Sequence, residues 1–90
     1  MNNSNPVQRT KNVLSVIVKE LVDKPELVSV EDLTSNRMTV LTVHADKKDI
    51  GKIIGKQGKT AQSIRQLLEA IARKHGTRVV FEIDDGGNNA

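Results

Sequence analysis

The residues best suited to chemistry lie in one stretch, Ile50-Gly51-Lys52-Ile53-Ile54-Gly55-Lys56-Gln57-Gly58-Lys59-Thr60. Its G-x-x-G core, Gly55 to Gly58, falls between a short apolar period and a longer one. Glycines let the backbone turn sharply and leave no Cβ to block the close approach of a sugar-phosphate chain. A helix starting just after Gly58 presents amides without intrahelical partners, and its dipole adds partial positive charge at that point. A phosphate placed there can accept backbone N–H bonds. Lys56 and Lys59 supply full charges, Lys52 lies one helical turn before Lys56, and Gln57 can donate or accept a hydrogen bond. Glycines alone would fit a tight packing turn between helices; with these lysines in register, the loop reads as a polyanion clamp.

Other chemistries find no support. Gly58-Lys59-Thr60 mimics the end of a Walker A loop, but that motif needs a glycine where this chain has Ile53, and a strand where it has a helical period. There is no cysteine, which excludes disulfides, thiolate metal sites and a thiol nucleophile. His44 ends a strand and His75 closes a helix, and neither has partners at triad or ligand spacing. Glu31-Asp32 and Asp84-Asp85 read as exposed turn and strand-end acids. We therefore expect no catalytic residue, no metal and no cofactor.

Charge is unevenly distributed. From Lys47 to Arg78 there are nine basic residues against Asp49 and Glu69, a net +7 in a chain whose total is +3. The remainder carries five bases and nine acids, a net −4. The basic half contains the loop, so it reads as a polyanion-binding surface rather than an ordinary solvated face. No apolar run approaches the length of a transmembrane helix, and the N-terminus lacks a signal-peptide pattern. A cytoplasmic location is the expectation, with no membrane partner.

The elements that position the loop follow from periodicity. Asn12, Ser15, Lys19 and Asp23 recur at helical spacing opposite Leu14, Ile17, Val18 and Leu21, which predicts a helix over 10–23, capped by Thr10 and stopped by Pro25. Leu27 to Leu33 and Arg37 to His44 predict an antiparallel hairpin turning at Thr34-Ser35-Asn36, with the second strand central because both its faces are apolar. Ile50, Ile53 and Ile54 mark a short helix from Lys47 that Gly55 ends. A longer helix runs from about Lys59 to His75, with a stripe of Ala61, Ile64, Leu68 and Ile71 widened by Leu67 and Ala72, and Gly76 as its cap. Arg78 to Ile83 closes the domain as a strand with Val79, Phe81 and Ile83 on one face. The fold class is α+β, in the order α-β-β-α-α-β, with three helices on one face of a three-stranded sheet. The predicted domain covers 10–84, flanked by polar tails at 1–9 and 85–90. So small a core would gain stability from a partner subunit.

Ile53-Ile54-Gly55-Lys56-Gln57-Gly58-Lys59 resembles the signature of KH domains, whose G-x-x-G loop clamps the backbone of about four unpaired nucleotides. The element order resembles the type II, prokaryotic KH arrangement, and the resemblance covers about Thr10 to Asp84. More narrowly, the chain resembles the small bacterial single-KH proteins of the KhpA type. That resemblance implies a cytoplasmic protein that binds single-stranded RNA and forms homodimers. It also implies pairing with a larger KH protein of the Jag (KhpB) type, and a role as RNA chaperone or post-transcriptional regulator linked to cell elongation and division, hence to cell shape and cell wall biogenesis. The implied RNA-binding residues are Gly55, Lys56, Gln57, Gly58 and Lys59, with Lys52, Ile53 and Ile54 beside them. One departure is Ala61, where many KH domains carry a bulky aliphatic; it makes the groove shallower or leaves room for a partner's helix.

Phe81 is the sole aromatic, and its alternation with Val79 and Ile83 gives it a core role. Base contacts are then aliphatic and hydrogen-bonded, which implies modest affinity and loose sequence preference. Ile50, Ile53, Ile54 and Ile64 would form core and apolar floor, Lys47 and Lys48 would extend the phosphate track, and Arg37 would sit where type II KH domains border their groove. Two other readings stay open. The wide stripe on the long helix suits a protein–protein scaffold whose RNA binding is incidental, and no residue pattern distinguishes RNA from single-stranded DNA.

Overall fold

The computed structural model describes residues 5–85; of the expected tails at 1–9 and 85–90, residues 1–4 and 86–90 lie outside the described residues. Helix α1 spans Pro6–Leu21, β1 Ser29–Ser35, β2 Met38–His44, α2 Ile50–Ile54, α3 Lys59–Lys74 and β3 Arg78–Ile83. Short 3₁₀ turns occupy Pro25–Leu27, Lys47–Asp49 and Lys56–Gly58. The order α-β-β-α-α-β is the expected one.

Helix α1 begins ahead of the expected Thr10, so residues 6–9, expected in a tail, are helical. Asn5 is the true cap: its Oδ1 accepts the N–H of Val7 at 2.8 Å and of Gln8 at 3.4 Å, and Pro6 takes the first helical position. Thr10 is buried and donates its hydroxyl back to the Pro6 carbonyl at 2.8 Å, a bond that leaves its oxygen inside the helix. The helix also ends at Leu21, ahead of Pro25.

The sheet order is β1-β2-β3. β1 and β2 are antiparallel with Ser29 opposite His44 and Ser35 opposite Met38; β2 and β3 are parallel with Met38 opposite Arg78 and Val43 opposite Ile83. β2 is therefore central, as its two apolar faces predict. The hairpin turns at Asn36-Arg37 and not at Thr34-Ser35-Asn36. Both turn residues have positive φ (50° and 67°), the requirement of a two-residue type I′ turn that matches strand twist. Thr34 and Ser35 stay in β1, and the Thr34 hydroxyl meets that of Thr39 at 2.9 Å.

All three helices pack on one face of the sheet. Leu14 and Val18 of α1, Ile53 of α2, and Ile64 and Leu68 of α3 close over Leu41, Val43 and Phe81. Burying an aliphatic side chain of this kind is worth about 1.5–3 kcal/mol, so this cluster is the principal source of cohesion. Leu67, expected in the stripe, is 56% exposed. It lies on the far edge of α3, beyond the reach of the sheet. At the C-terminus of α3, Thr77 N–H donates to the Ala72 carbonyl at 3.0 Å and Gly76 N–H to that of Arg73 at 3.1 Å, with Gly76 at φ +70°. This is the Schellman cap that Gly76 predicts.

Candidate nucleic-acid interface

α2 and α3 meet at Gly55–Gly58. Gly55 N–H closes α2 on the Gly51 carbonyl at 2.9 Å, and Gly58 N–H turns back to the Gly55 carbonyl at 3.0 Å. Three of the four loop residues have positive φ: Gly55 at 80°, Gln57 at 58° and Gly58 at 74°. The two glycines serve different ends. A Cβ on Gly55 would collide with the Thr60 side chain and stand 2.8 Å from its backbone N, so the close approach there is to the chain's own α3. A Cβ on Gly58 would meet nothing within 4 Å. Open space at Gly58 is where a ligand backbone can come near.

No side chain caps the N-terminus of α3, and its first turn carries no acid. The Lys59 N–H is taken by the Lys56 carbonyl, so it is the positive dipole end and the amides after Lys59 that face an anion here. Lys56, Gln57 and Lys59 are exposed around it, and among the described residues neither lysine enters an ion pair. Lys47 and Lys48 are likewise exposed and unpaired in the 3₁₀ turn before α2.

Lys52 behaves differently. Its ammonium lies 3.4 Å from Asp23 Oδ2 and 3.7 Å from Asp49 Oδ1, which draws it toward the end of α1. Asp49 is buried, and its carboxylate accepts the backbone N–H groups of Asp23 at 3.1 Å and Lys24 at 3.0 Å. Burial pushes this carboxyl up, but the two N–H bonds and Lys52 outweigh burial and hold it below its ordinary value. Asp49 thereby ties the base of α2 to the segment after α1 and fixes where the loop stands. Sequence reasoning missed it; the signal was a single acid among the lysines from Lys47 to Lys59.

An open recess of about 690 Å³ runs from the loop toward the sheet. Ile54, Gly58, Ala61 and Arg65 form one wall, and β3 from Val80 to Ile83 forms the other. Ala61 is part of this wall, and its small side chain leaves the recess roomy. Ile54 reaches the recess, whereas Ile53 is fully buried and supports the floor from beneath. Ile50 and Ile64 are also core residues. Phe81 is buried as expected, with the Arg65 guanidinium 5.8 Å from its ring centroid. Glu82 and Asp85 stand on the strand side. Phosphates are therefore favoured at the loop, where Lys56 and Lys59 are exposed, and repelled from the strand wall. Arg37 lies away from the loop: its carbonyl accepts Arg78 N–H at 3.1 Å at the opposite end of β3.

Residues 11–83 match the family model described as KhpA/KhpB, KH domain. The chain belongs to this KhpA/KhpB KH-domain family. The RNA-binding protein KhpA of Aquifex aeolicus is 41% identical over 81% of this chain and 92% of its own length. Those of Chlamydia pneumoniae and Clostridium acetobutylicum are 41% and 42% identical over 81% of this chain, and over 94% and 97% of their own lengths. These names denote binding and no reaction. No solved structure gives a significant match. For a KhpA/KhpB KH domain the α+β order seen here is the type II arrangement, and the G-x-x-G loop is its signature. Among the described residues no helix is long and apolar enough to cross a membrane, and no group of three or more His, Cys, Asp or Glu is arranged to hold a metal ion.

Proposed function

We propose that this protein binds single-stranded RNA, gripping the sugar-phosphate chain at Gly55-Lys56-Gln57-Gly58 and laying the bases toward Ile54 and Ala61. The observation that carries the reading is the uncapped start of α3 beside the open face of Gly58, flanked by unpaired Lys56 and Lys59. Several donors and two full charges converge on one point, as phosphate recognition needs. Lys52 and Ile53 hold α2 in place behind the loop. With few stacking groups on this surface, the grip reads backbone more than sequence. The naming of the relatives as RNA-binding proteins, and the KH resemblance, favour RNA over single-stranded DNA.

The test is a folded loop variant. Replacing Lys56 and Gln57 by Asp introduces like charge at the phosphate site, and RNA affinity should fall by more than about tenfold while the circular dichroism spectrum stays unchanged. Unaltered RNA binding by that variant would remove the loop from the interface. A parallel titration with DNA of the same sequence separates the two nucleic acids.

In the cell we place the protein in the cytoplasm as an RNA chaperone or post-transcriptional regulator. It acts as a homodimer or with a larger KH protein of the Jag (KhpB) type, and bears on cell elongation, division, cell shape and wall biogenesis. A second reading, a scaffold whose RNA binding is incidental, is favoured by Val13, Val16 and Leu67, which are 42%, 62% and 56% exposed on α1 and α3. Sedimentation with and without RNA separates the two: a stable dimer indifferent to RNA favours the scaffold.

A further inference from the structure

His44 closes β2, and its ring stands between acids from two other parts of the sheet. Glu31 Oε1 of β1 lies 2.6 Å from Nε2, and Asp84 Oδ2, one residue past β3, lies 2.9 Å from Nδ1. An ionised carboxylate only accepts hydrogen bonds, so both contacts are bonds only when each ring nitrogen carries a proton. The imidazolium meets that condition. The neutral ring has one N–H, and its other nitrogen would turn a lone pair toward a carboxylate. Glu31 is the closer acid, and its hydrogen bond is the largest influence raising the His44 pKa. The neutral ring therefore keeps its N–H on Glu31 and gives up Asp84.

Asp84 borders the RNA surface. Its backbone N–H donates to the Val43 carbonyl at 2.9 Å, and it stands between Ile83 and Asp85, which both line the recess beside the loop. Glu82 lines the recess too. The wall opposite Ile54, Gly58 and Ala61 thus carries acids, and the imidazolium is a positive charge set against them. Glu31 on β1 and Asp84 after β3 are the charged groups that meet the ring. Glu82 shares its sheet face one row away, opposite Thr42, and Asp46, two residues beyond His44, pairs with Lys24 at 4.0 Å.

We propose that His44 is a proton-operated regulator of the RNA grip. Its imidazolium offsets the acidic strand wall, and loss of that charge as pH rises leaves phosphates in the recess facing more negative charge from Glu82, Asp84 and Asp85. The proposal rests on the RNA-binding reading. Linkage makes the effect reciprocal: if the protonated form binds RNA better, bound RNA holds the proton more tightly by the same factor. At low ionic strength, one unit charge about 10 Å from a phosphate changes affinity by somewhat under twofold, and two phosphates give about threefold.

The test is fluorescence anisotropy of one single-stranded RNA on the full chain at about pH 6 and about pH 8.5, in about 10 mM salt, where the Debye length is about 30 Å. The lower pH lies below the ring's ordinary value of 6.5, which the two acids raise further. Across this range the wild type should lose about threefold more affinity than His44→Gln, which keeps His75 and every acid of the wall. Circular dichroism at both pH values checks that the variant is folded. A second measurement needs no variant: the His44 ring is titrated by NMR with and without saturating RNA. Its midpoint should move up by about 0.5 pH, the same threefold factor. Equal pH dependence in the two folded proteins overturns the proposal. So does a midpoint that RNA leaves in place, because the clasp would then serve stability alone. Tighter binding by the wild type at the higher pH overturns it by reversing the sign. RNA binding absent at both pH values overturns the RNA-binding reading itself, whereas binding that is present but indifferent to His44 overturns only the regulator.

Discussion

Within the loop, the two glycines of one motif answer to different forces. Gly55 combines φ +80°, ψ 171° with a Cβ position already filled by Thr60, whereas Gly58 is constrained by its left-handed backbone alone. Strain of this backbone kind costs of order 1–3 kcal/mol, and forced overpacking adds about 1–3 kcal/mol more. Gly55→Ala should therefore lower the unfolding free energy by about 3 kcal/mol, and Gly58→Ala by about 1 kcal/mol, as read from urea midpoints. The ranking should reverse for RNA affinity among folded molecules, because the new methyl at Gly58 stands where the ligand backbone approaches. Equal stability of the two variants would mean that the Thr60 contact does not constrain Gly55. Asp49 gives a second expectation. Its carboxyl is held below the ordinary value of 3.8, so its contribution is fully present above that value and fades as pH falls through the lower folded-state value. Asp49→Asn should be less stable than the wild type at neutral pH, and the gap should narrow in acid. A gap constant from pH 7 into acid would count against the carboxylate.

Across the sheet, His44 joins elements that the chain keeps far apart. Its Nε2 meets Glu31 Oε1 of β1 at 2.6 Å and its Nδ1 meets Asp84 Oδ2, just past β3, at 2.9 Å. The hydrogen bond to Glu31 is the largest influence and raises the His44 pKa; burial opposes it, and Asp84 adds to the rise. A raised histidine stabilises the fold fully below its ordinary value of 6.5 and loses that effect as pH climbs through the higher folded-state value. The melting temperature of the wild type should exceed that of His44→Gln by more at about pH 6 than at about pH 8.5. A difference independent of pH would show that the clasp does not depend on the imidazolium. This clasp was invisible in the sequence because its members are 13 and 40 residues apart and became neighbours only through strand register. What periodicity can report, it reported: α3, β2 and β3 follow from the spacing of Ile64, Leu68, Leu41 and Phe81. Misreadings fell where one residue type serves two purposes. Thr10 looked like a cap but bonds back inside the helix, and Arg37 occupies a left-handed turn position where a glycine would have been conspicuous. Leu67 is apolar and exposed, a choice that intrachain packing does not explain. The loop itself was legible because glycine spacing and lysine clustering are local, while the role of Thr60 at Gly55 required the turn in three dimensions.

At the scale of the molecule, charge is sorted between surfaces. The segment from Lys47 to Arg78 carries +7, and the acids gather elsewhere, several at the sheet end around Glu31, Glu82 and Asp84. Such a field draws a polyanion to the loop side and orients it before contact. Yet charges of the same sign are not equivalent once the structure assigns their partners. Lys56 and Lys59 face solvent unpaired, whereas Lys52 leans on Asp23 and Asp49. Each phosphate neutralised on a single strand contributes about −0.7 to the slope of log affinity against log salt concentration, through release of its counterion. Lys56→Gln should make that slope shallower by about 0.7. Lys52→Gln should leave the slope close to that of the wild type and instead lower the melting temperature, because it removes a cation from beside the buried Asp49 carboxylate. Anisotropy titrations of one RNA over a series of salt concentrations measure both slopes, and thermal unfolding of the same samples supplies the second readout. A Lys52 variant whose slope falls as far as that of the Lys56 variant, with unchanged melting, would mean that Lys52 leaves its two carboxylates for a phosphate when RNA binds. The +7 face would then act as one undivided binding surface.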